Sequence, residues 1–221
     1  MNFFRKPFRY SFFKAALAII LINIAAHLAF IYLGLNKNFF GLSVYGFIGE
    51  HYFWQLVTYM FVHGDWMHLI FNMFALLIFG SAVERTLGSK EFLLAYFLIG
   101  ILSGLFSVAV YYIFGLFLAY NGLPPYPWGI SLIGASGAIY GILFLYAVLF
   151  PKSIIFIWGI IPVPAPIMVL AYAIIEFTSQ FIGSSNVAHM THLAGFAFAW
   201  LYLLVRMGVH PIKIWKDAYR R

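Results

Sequence analysis

Apolar residues run through this chain in long blocks separated by short polar intervals, and the blocks set the element count. Six stretches read as helices that cross a bilayer, roughly residues 15–33, 66–83, 91–114, 134–150, 164–183 and 189–208. No charged side chain lies between Glu91 and Lys152, a distance too long for one crossing. The run Asn121-Gly122-Leu123-Pro124-Pro125-Tyr126-Pro127-Trp128-Gly129 divides it, because its glycines and prolines interrupt a helix. The connection over residues 34–65 is aromatic and sparsely charged, which predicts that it lies in the membrane interface.

Composition supports a lipid environment. Of 221 residues, 64% are hydrophobic and 9% charged, against about 45–50% and about 25% in soluble domains. That excludes a soluble globular fold, and with it disorder, collagen-like repeats and disulfide scaffolds. The absence of cysteine removes thiol nucleophiles and cysteine-ligated zinc. A net charge of +7 would suggest nucleic acid in a soluble protein, but the charges here follow topology, and no nucleic-acid partner is expected. Arg5, Lys6, Arg9 and Lys14 precede the first stretch, Arg85 and Lys90 separate the second and third, and Lys152 separates the fourth and fifth. Arg206, Lys213, Lys216, Arg220 and Arg221 lie at or beyond the sixth. Six crossings place all twelve on one side and leave only Lys37 opposite, so both termini are expected in the cytoplasm.

A basic start followed by an apolar run also describes a secretory signal. Here the run is longer than a signal core and lacks a small-residue cleavage site, so a retained first span is expected. With no organelle-targeting extension, a bacterial inner (plasma) membrane is the expected location. No repeat or soluble domain interrupts the chain. The expected division is a cytoplasmic segment over 1–14, a membrane domain over 15–208 and a basic cytoplasmic tail over 209–221.

A polar side chain in hydrocarbon is costly without a partner or a wet cavity, so the polar residues are the candidates for chemistry. His68 and Asn72 are four apart and share a helix face; they are either hydrogen-bond donors to a site or a pair that joins two helices. Ser136, within Gly134-Ala135-Ser136-Gly137, opens an apolar helix where unpaired backbone N–H groups suit a developing oxyanion. The alternative is an N-cap serine beside a Gly137/Gly141 packing face. His192, Gly195 and Ala199 form one helical stripe, and if it meets the Gly137/Gly141 face, Ser136 and His192 come together. Glu176 in the fifth stretch is either part of a proton path or a partner for a neighbouring helix. The structural role is favoured, and no catalytic role is expected for it.

These residues resemble the rhomboid family of intramembrane serine proteases. The resemblance rests on Trp54 through Gly64, on His68 and Asn72 as an HxxxN motif, and on Gly80 with Glu84-Arg85-Thr86-Leu87-Gly88. Gly134-Ala135-Ser136-Gly137 fits the GxSG nucleophile motif, and His192-Leu193-Ala194-Gly195 fits the final-helix histidine. In order, they cover roughly residues 50–205. Three positions depart from the pattern: Gln55 stands where the family often has arginine, Ala199 replaces a glycine, and His189 competes with His192 as base.

The resemblance implies an all-α polytopic membrane protein, a six-helix transmembrane bundle of rhomboid type with a long interfacial first loop. It implies a Ser-His dyad of nucleophile Ser136 and base His192, with the oxyanion met by the Ser136 backbone N–H, Asn72 and His68. No acidic residue is expected as a third member. Tyr140 would pack on the base, and Gly134 would leave room for substrate backbone. Residues 120–133 and 181–188 would bracket the mouth of a wet cavity. The implied partners are transmembrane protein substrates and the lipid bilayer, with no cofactor and no metal. Two other readings share this topology: an inactive rhomboid-like binder of membrane proteins, and a transporter or channel using His63, His68, His189 and His192. An HExxH metalloprotease is excluded because no such sequence occurs.

Overall fold

A backbone in hydrocarbon must satisfy its own N–H and C=O groups, and an α-helix does so within one segment. The computed structural model describes residues 7–157, 159–182 and 189–220. Its apolar helices are α1 (Ala15–Tyr32), α2 (Trp66–Leu87), α3 (Ser89–Tyr120), α4 (Ser136–Leu149), α5 (Ala165–Ile182) and α6 (His189–Met207). Four of them, α1, α2, α3 and α6, are long and apolar enough to cross a membrane. The other two are shorter in apolar extent, Ser136–Leu149 and Ala165–Ser179. Leu21, Ile22, Phe71, Phe74, Ile113, Phe117, Ile167 and Ile174 are each more than half exposed, an outer surface suited to lipid.

The helix α4 packs against α3, α5 and α6. Ten of its fourteen residues are buried, from Gly137 and Ala138 to Ala147 and Val148. A helix that is apolar all round belongs at the centre of a bundle, and this one sits there.

Acidic residues join the ends of the outer helices. The Glu84 carboxylate accepts the Ala15 N–H at 2.6 Å and the Ala16 N–H at 2.9 Å, and also the Ser89 hydroxyl. An anion there meets the unpaired donors and the positive end of the α1 dipole. Glu91, at the start of α3, accepts from Arg206 Nε at 2.8 Å and from the Tyr202 hydroxyl, both on α6. Its second oxygen accepts Arg206 Nη2 and the Phe8 N–H, each at 3.0 Å.

The 34–65 connection is not an open loop but four short helical turns, Lys37–Phe40, Tyr45–Gly49, Gln55–Thr58 and Tyr59–Phe61. Gln55 is fully buried there; its amide donates to the Asn38 and Phe39 carbonyls and accepts the Ser43 N–H. A neutral amide thus ties the segment together. Lys37 donates to the His63 and Gly64 carbonyls at 2.8 and 2.7 Å. Leu42 and Leu132 form an antiparallel bridge to the segment that leads into α4.

One feature differs from expectation. Helices alone were expected, but β1 (Ile154–Ile157) and β2 (Ile161–Pro164) form an antiparallel hairpin, with Ile154 opposite Pro164 and Ile157 opposite Ile161. β-Branched isoleucines favour extended backbone, and a proline at the strand end needs no ladder N–H. In the stretch expected as a basic tail, Pro211–Tyr219 forms helix α7. It is docked by Trp215 Nε1 to the Ala147 carbonyl at 2.9 Å and by the Tyr219 hydroxyl to the Pro151 carbonyl at 2.7 Å. Arg5, Lys6, Arg221 and residues 183–188 of the second mouth loop lie outside the described residues.

Candidate active site

The chain turns sharply into α4. Gly134 has φ +111°, a conformation that side chains rarely adopt, and its N–H donates to the Tyr59 carbonyl at 2.8 Å. Ser136 follows as the first residue of α4, and its own N–H meets no backbone acceptor among the described residues. Fourteen residues span about 21 Å, roughly 9 Å short of a hydrocarbon layer about 30 Å thick. A helix this short that reaches one membrane face begins its first turn below the other.

Close packing supplies the histidine. A Cβ on Gly195 of α6 would lie 2.2 Å from the Gly137 carbonyl oxygen, so the two backbones touch there. The Gly137/Gly141 face of α4 meets the stripe that carries Gly195 and Ala199. As a result, His192 Nε2 stands 2.7 Å from Ser136 Oγ. A hydroxyl that donates to Nε2 leaves the imidazole hydrogen on Nδ1.

The Nδ1 side holds the main departure from expectation. Glu176, expected to serve structure alone, places Oε1 3.0 Å from His192 Nδ1. This is ion-pair distance, but the N–H direction misses the oxygen, so Nδ1 makes no hydrogen bond. The same oxygen accepts the Tyr140 hydroxyl at 2.5 Å, and Tyr140 stacks on His192 with centroids 4.2 Å apart and planes 6° from parallel. Oε2 lies 2.5 Å from His189 Nδ1. An acidic residue therefore adjoins the serine–histidine pair, contrary to the expectation of none. Its signal in the sequence was the cost of a lone carboxylate in an apolar stretch. The facing direction of α5 depends on packing and left no pattern to read.

His68 and Asn72 approach from α2. Asp65 caps that helix, its Oδ1 accepting the His68 N–H at 2.8 Å, and this bond holds the Asp65 carboxyl below its ordinary pKa. His68 Nδ1 accepts the Gly64 N–H at 3.3 Å, which leaves Nε2 as the donor of a neutral ring. A Cβ on Gly134 would fall 2.7 Å from that Nε2 and 3.8 Å from Ser136 Oγ. The His68 ring thus fills the side of Gly134 on which a side chain would project. Asn72 is buried and commits one amide hydrogen to the His68 carbonyl at 2.8 Å. Behind them His63 packs edge-on to His68 with centroids 5.0 Å apart; burial, with His68 and His27 nearby, pushes its pKa down to about 3.

Glu176, His189 and His192 offer donor atoms within 4.8 Å of one another, a set that a metal ion could address. Tetrahedral zinc with bonds of about 2.0–2.1 Å holds its donors roughly 3.3 Å apart. The 2.5 Å between His189 Nδ1 and Glu176 Oε2 is instead a hydrogen-bond distance. His63 and His68 do not join this set among the described residues, so the four histidines of the transporter reading do not converge.

RHOMBOID-like protein 12, mitochondrial, of Arabidopsis thaliana is 31% identical to this chain over 150 residues, covering 65% of the chain and 44% of that protein. Putative rhomboid protease YdcA of Bacillus subtilis is 32% identical over 150 residues, covering 67% and 64%. Inactive RHOMBOID-like protein 8 of Arabidopsis thaliana is 28% identical over 99 residues, covering 45% and 26%. The chain spans less than two thirds of the length of each. The Rhomboid domain matches residues 50–208, which is more than half of the chain and contains every side chain of the site above. This integral membrane protein belongs to the rhomboid family.

Proposed function

We propose that this protein is an intramembrane serine endopeptidase that cleaves transmembrane segments of other membrane proteins. Ser136 is the nucleophile and His192 the general base. The observation that carries the reading is the 2.7 Å contact between Ser136 Oγ and His192 Nε2, made where two helices touch backbone to backbone. Such a contact lets the base take the hydroxyl proton as Oγ attacks a peptide carbonyl. The same proton then passes to the leaving amine, and a water repeats the sequence on the acyl-enzyme. The oxyanion would be met by the Ser136 N–H, the second Asn72 amide hydrogen and His68 Nε2. Losing one such donor typically costs about 3–4 kcal/mol in barrier height.

We read the architecture as six crossings with both termini in the cytoplasm and the 34–65 segment at the opposite interface, in a bacterial-type plasma membrane. The placement of twelve of thirteen basic residues supports the orientation, and the Bacillus subtilis relative supports the membrane type. A substrate helix must unwind locally, since its own hydrogen bonds shield the scissile peptide, so helix-weakening residues near the cleavage site are expected. One relative is named inactive, but this chain carries both the serine and the histidine that the chemistry needs, which favours a working enzyme.

The test is covalent labelling. A fluorophosphonate probe should label the wild-type protein and not a folded Ser136→Ala variant, and that variant should no longer cleave a reporter transmembrane substrate. Labelling or cleavage that survives Ser136→Ala would remove the proposal.

A further inference from the structure

We propose that Glu176 is a positioning residue for the base. Its carboxylate orients His192 from the Nδ1 side and offsets the charge of the imidazolium formed when Ser136 gives up its proton. The inference rests on the protease reading and adds a third group to the pair on which that reading depends.

The need comes from the chemistry. With Nε2 facing the serine, Nδ1 carries the hydrogen, and proton transfer leaves a full positive charge on a residue that is 8% exposed. Such a charge is costly in a poorly solvated site unless a counter-charge is near. Glu176 is itself 6% exposed and lies 3.0 Å from Nδ1.

The carboxylate is held at both oxygens. Oε2 is engaged by His189 Nδ1 and Oε1 by the Tyr140 hydroxyl, each at 2.5 Å. It therefore cannot turn away from His192 without losing a hydrogen bond. Tyr140 also fixes the imidazole plane by stacking on it, so one phenol holds both the base and the base's partner. The resting N–H direction misses Oε1, as expected for an oxygen shared with a ring stacked on the imidazole. Catalytic hydrogen bonds are often poorly aligned before substrate binds and tighten in the complex.

A purely structural role, joining α4, α5 and α6, uses the same contacts and makes a different prediction. It would move stability, and turnover only as far as folding fails. A role in positioning the base lowers kcat in a folded protein and does so only while His192 is present.

The measurement is steady-state cleavage of a reporter transmembrane substrate by full-length protein in proteoliposomes, alongside the thermal midpoint. Glu176→Gln keeps the side-chain shape and an oxygen for Tyr140 but loses the charge. It should lower kcat by about 100-fold while KM changes less than about threefold. Glu176→Asp should recover about tenfold of that loss. In a His192→Ala background, Glu176→Gln should lower residual activity no further. Should Glu176→Gln fail to fold, Tyr140→Phe decides: it keeps the stack, frees Oε1, and should cost about tenfold in kcat. A folded Glu176→Gln within threefold of wild-type kcat, or an equal loss with His192 absent, overturns the inference. If Ser136→Ala cleaves like wild type, the protease reading itself falls, whatever Glu176 does.

Discussion

Gly195→Ala tests whether the backbone contact between α4 and α6 sets the distance between serine and histidine. The added Cβ would sit 2.2 Å from the Gly137 carbonyl oxygen, and the opposing atom is backbone that cannot rotate aside. Carbon and oxygen settle no closer than about 3.2 Å, so the helices must part by about 1 Å. The 2.7 Å contact between Ser136 Oγ and His192 Nε2 then widens by as much as that, beyond hydrogen-bond reach. A displacement of about 1 Å in a catalytic geometry costs about 100-fold in rate. Gly141 would share the disturbance, since its own Cβ position is 3.1 Å from the Gly195 carbonyl oxygen. The assay is kcat on a reporter transmembrane substrate in proteoliposomes, together with the rate of fluorophosphonate labelling. Gly49→Ala is the control, because a Cβ there meets nothing within 4 Å and the expected change is under twofold. A Gly195→Ala protein that turns over within threefold of wild type would refute the argument that close packing builds the site.

Three further outcomes follow from the same structure. His192→Ala should leave only a residual rate of cleavage, whereas His189→Ala, which keeps the base and frees only Glu176 Oε2, should cost no more than about tenfold on the same substrate; the reverse would exchange the base. Arg206→Ala leaves the Glu91 carboxylate buried without its cation and should cost about 3–5 kcal/mol in denaturation stability, and a loss under about 1 kcal/mol would show the pair to be idle. The folded-state pKa of His63 lies at about 3, below its unfolded value of 6.5, so folding disfavours its protonation. Its contribution is complete above pH 6.5 and shrinks as pH falls toward 3, about 2 kcal/mol between pH 7.5 and 5. A denaturation series across that range should flatten in His63→Phe, and an unchanged slope would count against the burial argument.

Much of the fold was legible because helix formation in hydrocarbon is a local demand. Each apolar block must satisfy its own backbone, so the blocks could be read one at a time, and helices lie close to all six expected positions. The two faces that meet were legible for a related reason. Glycines at 137 and 141, and small residues beside His192, mark where a neighbouring backbone can approach, because spacing of three and four along a helix is spacing on one face.

What the sequence determined by itself was therefore periodic or compositional: which segments are helical, where the charges lie, and which faces are smooth enough to touch. Tertiary structure alone decided how far α5 turns about its axis, and with it that Glu176 faces His189, His192 and Tyr140 rather than another neighbour. It also decided that the His68 ring fills the place a side chain at Gly134 would need. The reason is geometric: helix rotation and tilt are fixed by packing against neighbours, a relation among distant residues that no local spacing records.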